Sequence, residues 1–238
     1  MIQALLKELP ARYPRYGFKK PFHLIRNQGH LFNHKLFNHK RIYRNYCELN
    51  LNLKKKPKKR LAPRTVRSLT QTERANTCWS LDYMSNALMT GKRFRTANVI
   101  DDYNREWLGN NVSFSLPSRR ITQWLDNIAK ARRYPKSIRV DNAPENISRH
   151  FEEWAKTNGI EIQYIQPRKP AENGYIERFD RTYREAILDP YLFKSIKQVQ
   201  NLTDEWLHHY NEERPHEALK NFAPRKLTGQ LQAGNSIC

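Results

Sequence analysis

No apolar stretch in the 238-residue chain approaches the roughly 18 residues that a spanning helix needs. The opening residues, Met1 to Glu8, form too short an apolar run and end too acidic to act as a secretory signal, so a cytoplasmic location is expected. Cysteine is scarce. Cys47, Cys78 and Cys238 are far apart, odd in number and form no C-x-x-C pair. That argues against a disulfide framework or a zinc knuckle, and for reduced, partly buried thiols. The most uneven shortage is of acid at the start of the chain. Residues 1–70 hold 2 Asp and Glu against 18 Lys and Arg, whereas the remainder holds 21 against 25.

What is present in that head is therefore a concentrated positive field, within a chain of net charge +20. Such a field attracts polyanions by releasing their condensed counterions. Nucleic acid is the first partner to consider. A membrane surface comes second, because the head lacks a strongly apolar-faced amphipathic helix. Residues 1–50 read as three short helices. Ile2, Leu5, Leu6 and Leu9 stripe the first, and residues 12–17 break it. Pro21 suits the first turn of the second, which Gly29 ends. Asn38 caps the third, with Ile42, Tyr43, Tyr46 and Leu49 inward and His39, Lys40, Arg41 and Arg44 outward. A short helix, a turn and a basic helix fit a helix-turn-helix, and equally a small packing module with a solvated face.

Leu31-Phe32-Asn33-His34-Lys35 is repeated at once as Leu36-Phe37-Asn38-His39-Lys40. Five residues turn a helix by about 500°, so the two copies cannot share a helical face. One copy is expected to loop out before the third helix. Beyond it, Lys54-Lys55-Lys56-Pro57-Lys58-Lys59-Arg60 repels itself and reads as an extended linker.

From Thr77 the pattern changes. Cys78–Met84 alternates, with Trp79, Leu81 and Tyr83 on one side and Ser80, Asp82 and Met84 on the other. Residues 94–100 and 107–114 are two further strand candidates, with turns at Gly91 and residues 101–105. A helix carrying Ile121, Trp124, Leu125 and Ile128 follows. A strand at 137–140, a helix near 151–157, a strand at 161–165, and helices near 174–188 and 196–211 complete the body. A three-strand meander with later strand–helix alternation makes an α/β fold, a mixed sheet flanked by helices.

Three carboxylates have suggestive settings: Asp82 within the first strand, Asp141 just past a later strand, and Glu177 in a helix. Their oxygens are hard ligands suited to Mg²⁺ or Mn²⁺. Two such ions can activate an attacking oxygen and stabilise a leaving one in phosphoryl transfer. Spacing alone leaves open that these are surface or capping acids. Ile176, Phe179, Tyr183 and Ile187 stripe the last helix, with Glu177 at the stripe's border. Arg184 lies within about 20° of the direction of Glu177 and about 10.5 Å along the axis. It could hold a phosphate, or simply be solvated.

Ordered motifs narrow these options. Trp79-Ser80-Leu81-Asp82-Tyr83 resembles the first catalytic strand of the IS-three family of DDE transposases, relatives of retroviral integrases. Val99-Ile100-Asp101-Asp102-Tyr103 is similar to the end of the next strand. Arg139-Val140-Asp141-Asn142-Ala143-Pro144-Glu145-Asn146 is similar to the second catalytic block. Gln166-Pro167-Arg168-Lys169-Pro170 and Asn173-Gly174-Tyr175-Ile176-Glu177-Arg178-Phe179 are similar to the third. Tyr210-Asn211-Glu212-Glu213-Arg214-Pro215-His216 resembles the closing motif. The 35 residues between Asp141 and Glu177, and the basic residue seven after Glu177, match as well. Tyr16-Gly17-Phe18-Lys19-Lys20 and Asn38-His39-Lys40-Arg41-Ile42-Tyr43 resemble the helix-turn-helix segment.

The resemblance covers essentially the whole chain and implies a ribonuclease-H-like integrase core preceded by a small all-α helix-turn-helix module. The expected division is a DNA-binding segment at 1–52, a basic linker at 53–74, a catalytic domain at 75–229 and a tail at 230–238. It implies that Asp82, Asp141 and Glu177 bind two Mg²⁺ or Mn²⁺ ions. One strand would be hydrolysed at an element end, and the freed 3′-hydroxyl would attack a phosphodiester in line. Lys169, Tyr175 and Arg184 match positions near the DNA ends, and Lys40, Arg41 and Arg44 the helix-turn-helix contacts. Asp101 and Asp102 are read as strand-end acids. Implied partners are the element ends, target DNA, further copies of the chain in a synaptic complex, and the product of an upstream reading frame; the implied location is the bacterial nucleoid.

The sequence departs from the pattern at several points. Ala143 and Arg168 stand where the family usually has glycine, and Asp180 where it has asparagine. The duplication looks like an insertion. The usual upstream helix-turn-helix and zipper are expected to come from a separate reading frame. A non-cutting DNA-bound regulator, a decayed copy, and a structure-selective nuclease on the same fold are the alternatives.

Overall fold

The computed structural model describes residues 2–29, 31–32, 35–36, 38–53, 72–166 and 173–226. Two compact units emerge. One comprises residues 1–64 with 212–238, the other residues 65–211.

The first unit holds the three expected helices, α1 (Ile2–Arg12), α2 (Lys19–Asn27) and α3 (His39–Glu48). They meet through Leu6, Phe22, Ile25, Ile42 and Tyr46. Gly29, at φ +72°, closes α2 as its position suggested. The Asn38 side chain accepts the Lys40 N–H at 2.9 Å and starts α3. Tyr43 is less inward than its periodicity predicts. It is 45% exposed, with its ring edge against Phe18 at 4.8 Å. The repeat does not loop out. Its first copy turns back on the second as a short antiparallel ladder, β1 (Leu31–Phe32) with β2 (Lys35–Leu36). The equivalent leucines, Leu31 and Leu36, face each other in register. A period of five is incompatible with one helix face, but a β ladder satisfies the same backbone groups.

Residues 213–221 join this unit. The Tyr13 hydroxyl bonds the Glu213 carboxylate, and Arg214 bonds the Tyr16 hydroxyl. Asn27 Nδ2 donates to the Asn221 carbonyl at 2.9 Å. The range 75–229 expected for the catalytic domain thus includes residues that pack with the helical head.

The second unit is built on a five-stranded sheet: β3 (Cys78–Ala87), β4 (Arg93–Asp101), β5 (Trp107–Ser113), β6 (Ser137–Val140) and β7 (Glu161–Tyr164). The order is β5-β4-β3-β6-β7. The meander β3–β5 is antiparallel, and β6 and β7 run parallel to β3. Alternation sends Trp79, Leu81, Val99, Ile138 and Val140 to one face, against α4 (Ser118–Arg132) and α5 (Arg149–Thr157). The other face carries Met84, Phe94 and Ile100, against α6 (Gly174–Tyr183) and α7 (Ile196–His208). Both α6 and α7 end in a π-helical turn, Arg184–Leu188 and His209–Glu213. No described helix is long and apolar enough to cross a membrane.

One irregularity sets the core. Val99 pairs with Gly109 but Ile100 with Trp107, leaving Leu108 as an extra residue. This bulge changes the parity of β5, so that Trp107 and Val112 share a face although five positions apart. Trp107 then sits among Phe179, Tyr183, Trp206 and Tyr210, with ring centroids 5.0–6.2 Å away. Asn211, fully buried, clamps the same residue. Its Oδ1 accepts the Trp107 N–H and its Nδ2 donates to the Trp107 carbonyl, both at 2.9 Å. The closing motif thereby occupies the backbone edge of β5 as a neighbouring strand would.

Asn211→Ala leaves both backbone groups buried and unpaired, at about 1–3 kcal/mol each. A loss of roughly 2–4 kcal/mol in urea unfolding is expected; a change below about 0.5 kcal/mol would show that the clamp contributes nothing.

Candidate active site

Two acids are brought side by side by strand register. Ser80 pairs with Arg139 across the parallel β3–β6 ladder. Two residues further on, by continuation of that register, Asp82 stands level with Asp141 on the same face. Glu177 lies in the first turn of α6, exposed to solvent. The charges converge. Burial raises the pKa of Asp82, its own Tyr83 N–H and a bond from Asp180 lower it, and both Asp141 and Glu177 raise it further. Among the described residues no three His, Cys, Asp or Glu side chains stand at ligating separation. The acids share a field but would have to draw in around an ion.

Each strand acid is fixed by hydrogen bonds. Asp82 Oδ1 accepts the Tyr83 N–H at 2.7 Å. Asp141 Oδ1 accepts the Ala143 N–H at 3.1 Å and Asn146 Nδ2 at 2.8 Å. Asn146 is fully buried and works in both directions, because its Oδ1 accepts the Tyr83 hydroxyl at 2.9 Å. Tyr83 lies under the Arg95 guanidinium, 4.9 Å from its ring centre, and Arg95 pairs with Glu145. The loop carrying Asp141 is thus tied to β3 and β4. Periodicity put Tyr83 on the apolar side. Its hydroxyl and Asn146 were within the motifs read above, but only the tertiary contact shows what they do. Ala143 has no positive φ, so a Cβ costs the backbone nothing there.

Asp180, one of the departures, proves central. It is 7% exposed and lies three residues after Glu177. Burial and then the charge of Asp82 hold its pKa well above the usual carboxylate range. It hydrogen-bonds Asp82 and accepts Asn98 Nδ2 at 2.8 Å. Asn98 pairs directly with Asp82 in the ladder, a position from which alternation could have identified it. Arg184, half-buried, lies close enough to oppose the shift of Asp180.

Tyr175, half-buried at the start of α6, has the Arg105 guanidinium stacked 3.3 Å from its ring centre. Lys40, Arg41 and Arg44 are exposed on α3, in the other unit. Lys169 and Arg168 lie outside the described residues. Asp101 and Asp102 are committed to structure. Asp101 accepts the Asn76 and Tyr103 N–H groups at 2.7 and 2.9 Å, and burial lifts its pKa to about 6. Asp102, fully buried, accepts from Ser80 at 2.6 Å and Arg139 at 2.5 Å.

Comparison with known proteins gives a consistent family. Two models described as "Integrase core domain" match residues 72–170 and 158–224. A 31.7 kDa protein of insertion element IS407 from Burkholderia multivorans is 32% identical over 98% of this chain and 82% of its own length. The transposase InsD of an IS2 element from Escherichia coli is 27% identical over 91% of this chain and 74% of its own. A cryo-EM structure of a simian T-cell lymphotropic virus intasome, in complex with the PP2A regulatory subunit B56 gamma, shares the fold. It has a TM-score of 0.50 and 14% identity, over 87% of this chain and 68% of that one.

If Asn146 orients Asp141, Asn146→Ala lowers the affinity for Mn²⁺ by about 10–100-fold in a titration of the folded protein, and Tyr83→Phe lowers it less. Unchanged affinity in both variants rules out the positioning role.

Proposed function

The chain belongs to the insertion-element transposases with an integrase core domain, DDE-type polynucleotidyl transferases, and we propose that Asp82, Asp141 and Glu177 are its catalytic triad. The observation that carries this reading is that Asp82 feels the charges of both Asp141 and Glu177, residues far from it in sequence. Structural carboxylates are normally kept apart or paired with cations. A convergence of acids is favoured when a cation is to be held between them.

The donor set fits hard divalent ions such as Mg²⁺ or Mn²⁺. Two bound ions would activate the attacking oxygen and stabilise the leaving oxygen of a phosphodiester. The protein's own contribution is orientation. The Tyr83 N–H and Asp180 fix the Asp82 carboxylate on one side, and Asn146 and the Ala143 N–H fix that of Asp141. Both acids retain lone pairs for ligation. Glu177 enters from the N-terminal turn of α6, where the helix dipole favours a negative charge.

The substrate is read as duplex DNA, first the ends of the element and then a target. Lys40, Arg41 and Arg44 would grip the backbone from the head, Tyr175 and Arg184, on the helix of Glu177 and just past its end, would contact it near the triad, and Lys169 is assigned to the same DNA contact from its motif alone. Further copies of the chain, and an upstream-frame product, are the partners of a synaptic complex.

Purified chain with Mg²⁺ or Mn²⁺ is expected to nick, and then join, supercoiled plasmid carrying candidate element ends. Asp82→Asn, Asp141→Asn and Glu177→Gln should each fall to the no-enzyme background. Nicks that are never joined would make the chain a nuclease. Steeply salt-dependent DNA binding without metal-dependent cleavage would make it a regulator.

A further inference from the structure

The turn between β4 and β5 is an expensive way to display one arginine. Asp101, Asp102, Asn104 and Glu106 are all buried, and all are polar. Asn104 Oδ1 accepts the Glu106 N–H at 3.0 Å, and the Arg105 N–H donates to the Asp101 carbonyl at 2.9 Å. The Glu106 carboxylate is in turn held by Arg132. In the middle stands Arg105, at φ +60°. That left-handed conformation suits glycine or asparagine, and hairpins place such residues there as a rule. A long branched cation is the wrong choice for the backbone. Strain of this kind persists where the side chain has a task.

The guanidinium is aimed at α6. It stacks 3.3 Å from the centre of the Tyr175 ring and bonds the Tyr175 hydroxyl. Among the described residues its other hydrogen bond is a long one, Nη1 to the Tyr103 carbonyl at 3.5 Å. Among the described residues no carboxylate pairs with it. Guanidinium carries five donors in a planar fork, so most of them are uncommitted. Two other half-buried arginines of this unit differ: Arg132 and Arg139 are each paired with a buried acid, Glu106 and Asp102.

Tyr175 and Glu177 are two residues apart, which places them about 200° apart around α6. The first turn of that helix therefore has an acid of the triad on one flank and Arg105 on the other. Among the described residues no side chain caps this turn. Its N-cap residue, Asn173, is 5% exposed, and its Oδ1 finds no hydrogen-bond partner among the described residues. A strand crossing the start of α6 meets, in sequence, a guanidinium with no carboxylate partner among the described residues, the first backbone N–H groups of the helix, and the acids.

We propose that Arg105 binds a backbone phosphate of the DNA strand, neighbouring the phosphodiester under attack, and so sets the strand across the start of α6. The inference rests on the reading of this chain as a DNA-cutting enzyme. Tyr175 gives the guanidinium a rigid, apolar support, and planar bidentate donation suits a phosphate.

The test is metal-dependent nicking by the full chain, with KM for plasmid and kcat measured across a salt series. Arg105→Gly suits the left-handed turn, so the thermal midpoint should stay level or rise. KM should rise about tenfold, with kcat changed far less. The slope of log KM against log salt should become shallower by about 0.9, the signature of one lost phosphate contact. A merely structural arginine would not move that slope. Arg105→Lys should keep the slope with an intermediate KM. Should glycine lower the midpoint, Arg105→Asn, which also tolerates this conformation, takes its place. Wild-type slope in the Gly and Asn variants, or equal loss of slope in the Lys variant, overturns the inference. A wild type that binds and cuts no DNA removes the functional reading itself, which is a separate outcome.

Discussion

Repulsion among carboxylates crowded at one end of a sheet is the constraint around which this core is organised. Asp141, Glu177 and Asp180 all act on Asp82, and much of the neighbouring architecture is what makes that tolerable. Burial and the charge of Asp82 raise the pKa of Asp180, and the two side chains share a hydrogen bond. Asn98 and Asn146 supply amide donors to Asp180 and Asp141. Glu177 is exposed and sits at the favourable end of a helix dipole. Each device acts on a different acid, so no single cation is needed to neutralise the group. A divalent ion remains the strongest stabiliser the site could receive.

A second polar layer lies beneath the site on the same face of the sheet. Ser80 and Arg139, one pleat before Asp82 and Asp141, share Asp102 between them. A buried ion pair of this sort adds little net stability, since desolvation offsets most of the attraction. Its value is in register: Arg139 on β6 cannot slide along β3 without abandoning Asp102. That register is what keeps Asp141 level with Asp82. The bulge at Leu108 and the Asn211 clamp do the same for the opposite edge, locking Trp107 under α6 and with it the helix that carries Glu177.

The helical head has a different physics. Its core is small, and its outward face is basic. The closing motif and the residues after it complete it: Arg214 and Glu213 bond Tyr16 and Tyr13, and the chain near Asn221 is held by Asn27. The closing motif therefore has two duties along one stretch of sequence. Asn211 serves the catalytic sheet, and three residues later Arg214 serves the head.

Periodicity and charge in the sequence alone determined the three head helices, the five strands, their alternating faces, the basic head and the positions of the three candidate acids. These are local properties. An alternation of period two or a stripe of period 3.6 is written along a single segment, and so is an Asn ahead of a helix. The resemblance to DDE transposases rested on such local strings too. Only the tertiary structure decided which groups meet. The hydrogen bond between Asp180 and Asp82, the bridge of Asn146 to Tyr83, the grip of Asn211 on Trp107 and the stacking of Arg105 on Tyr175 all join residues from separate elements. The repeat shows the same limit from nearby. The five-residue period ruled out a shared helical face, but it could not say that the copies would pair with each other. A hydrogen bond depends on distance and direction in space, and a sequence pattern reports which face a residue occupies without reporting what that face will touch.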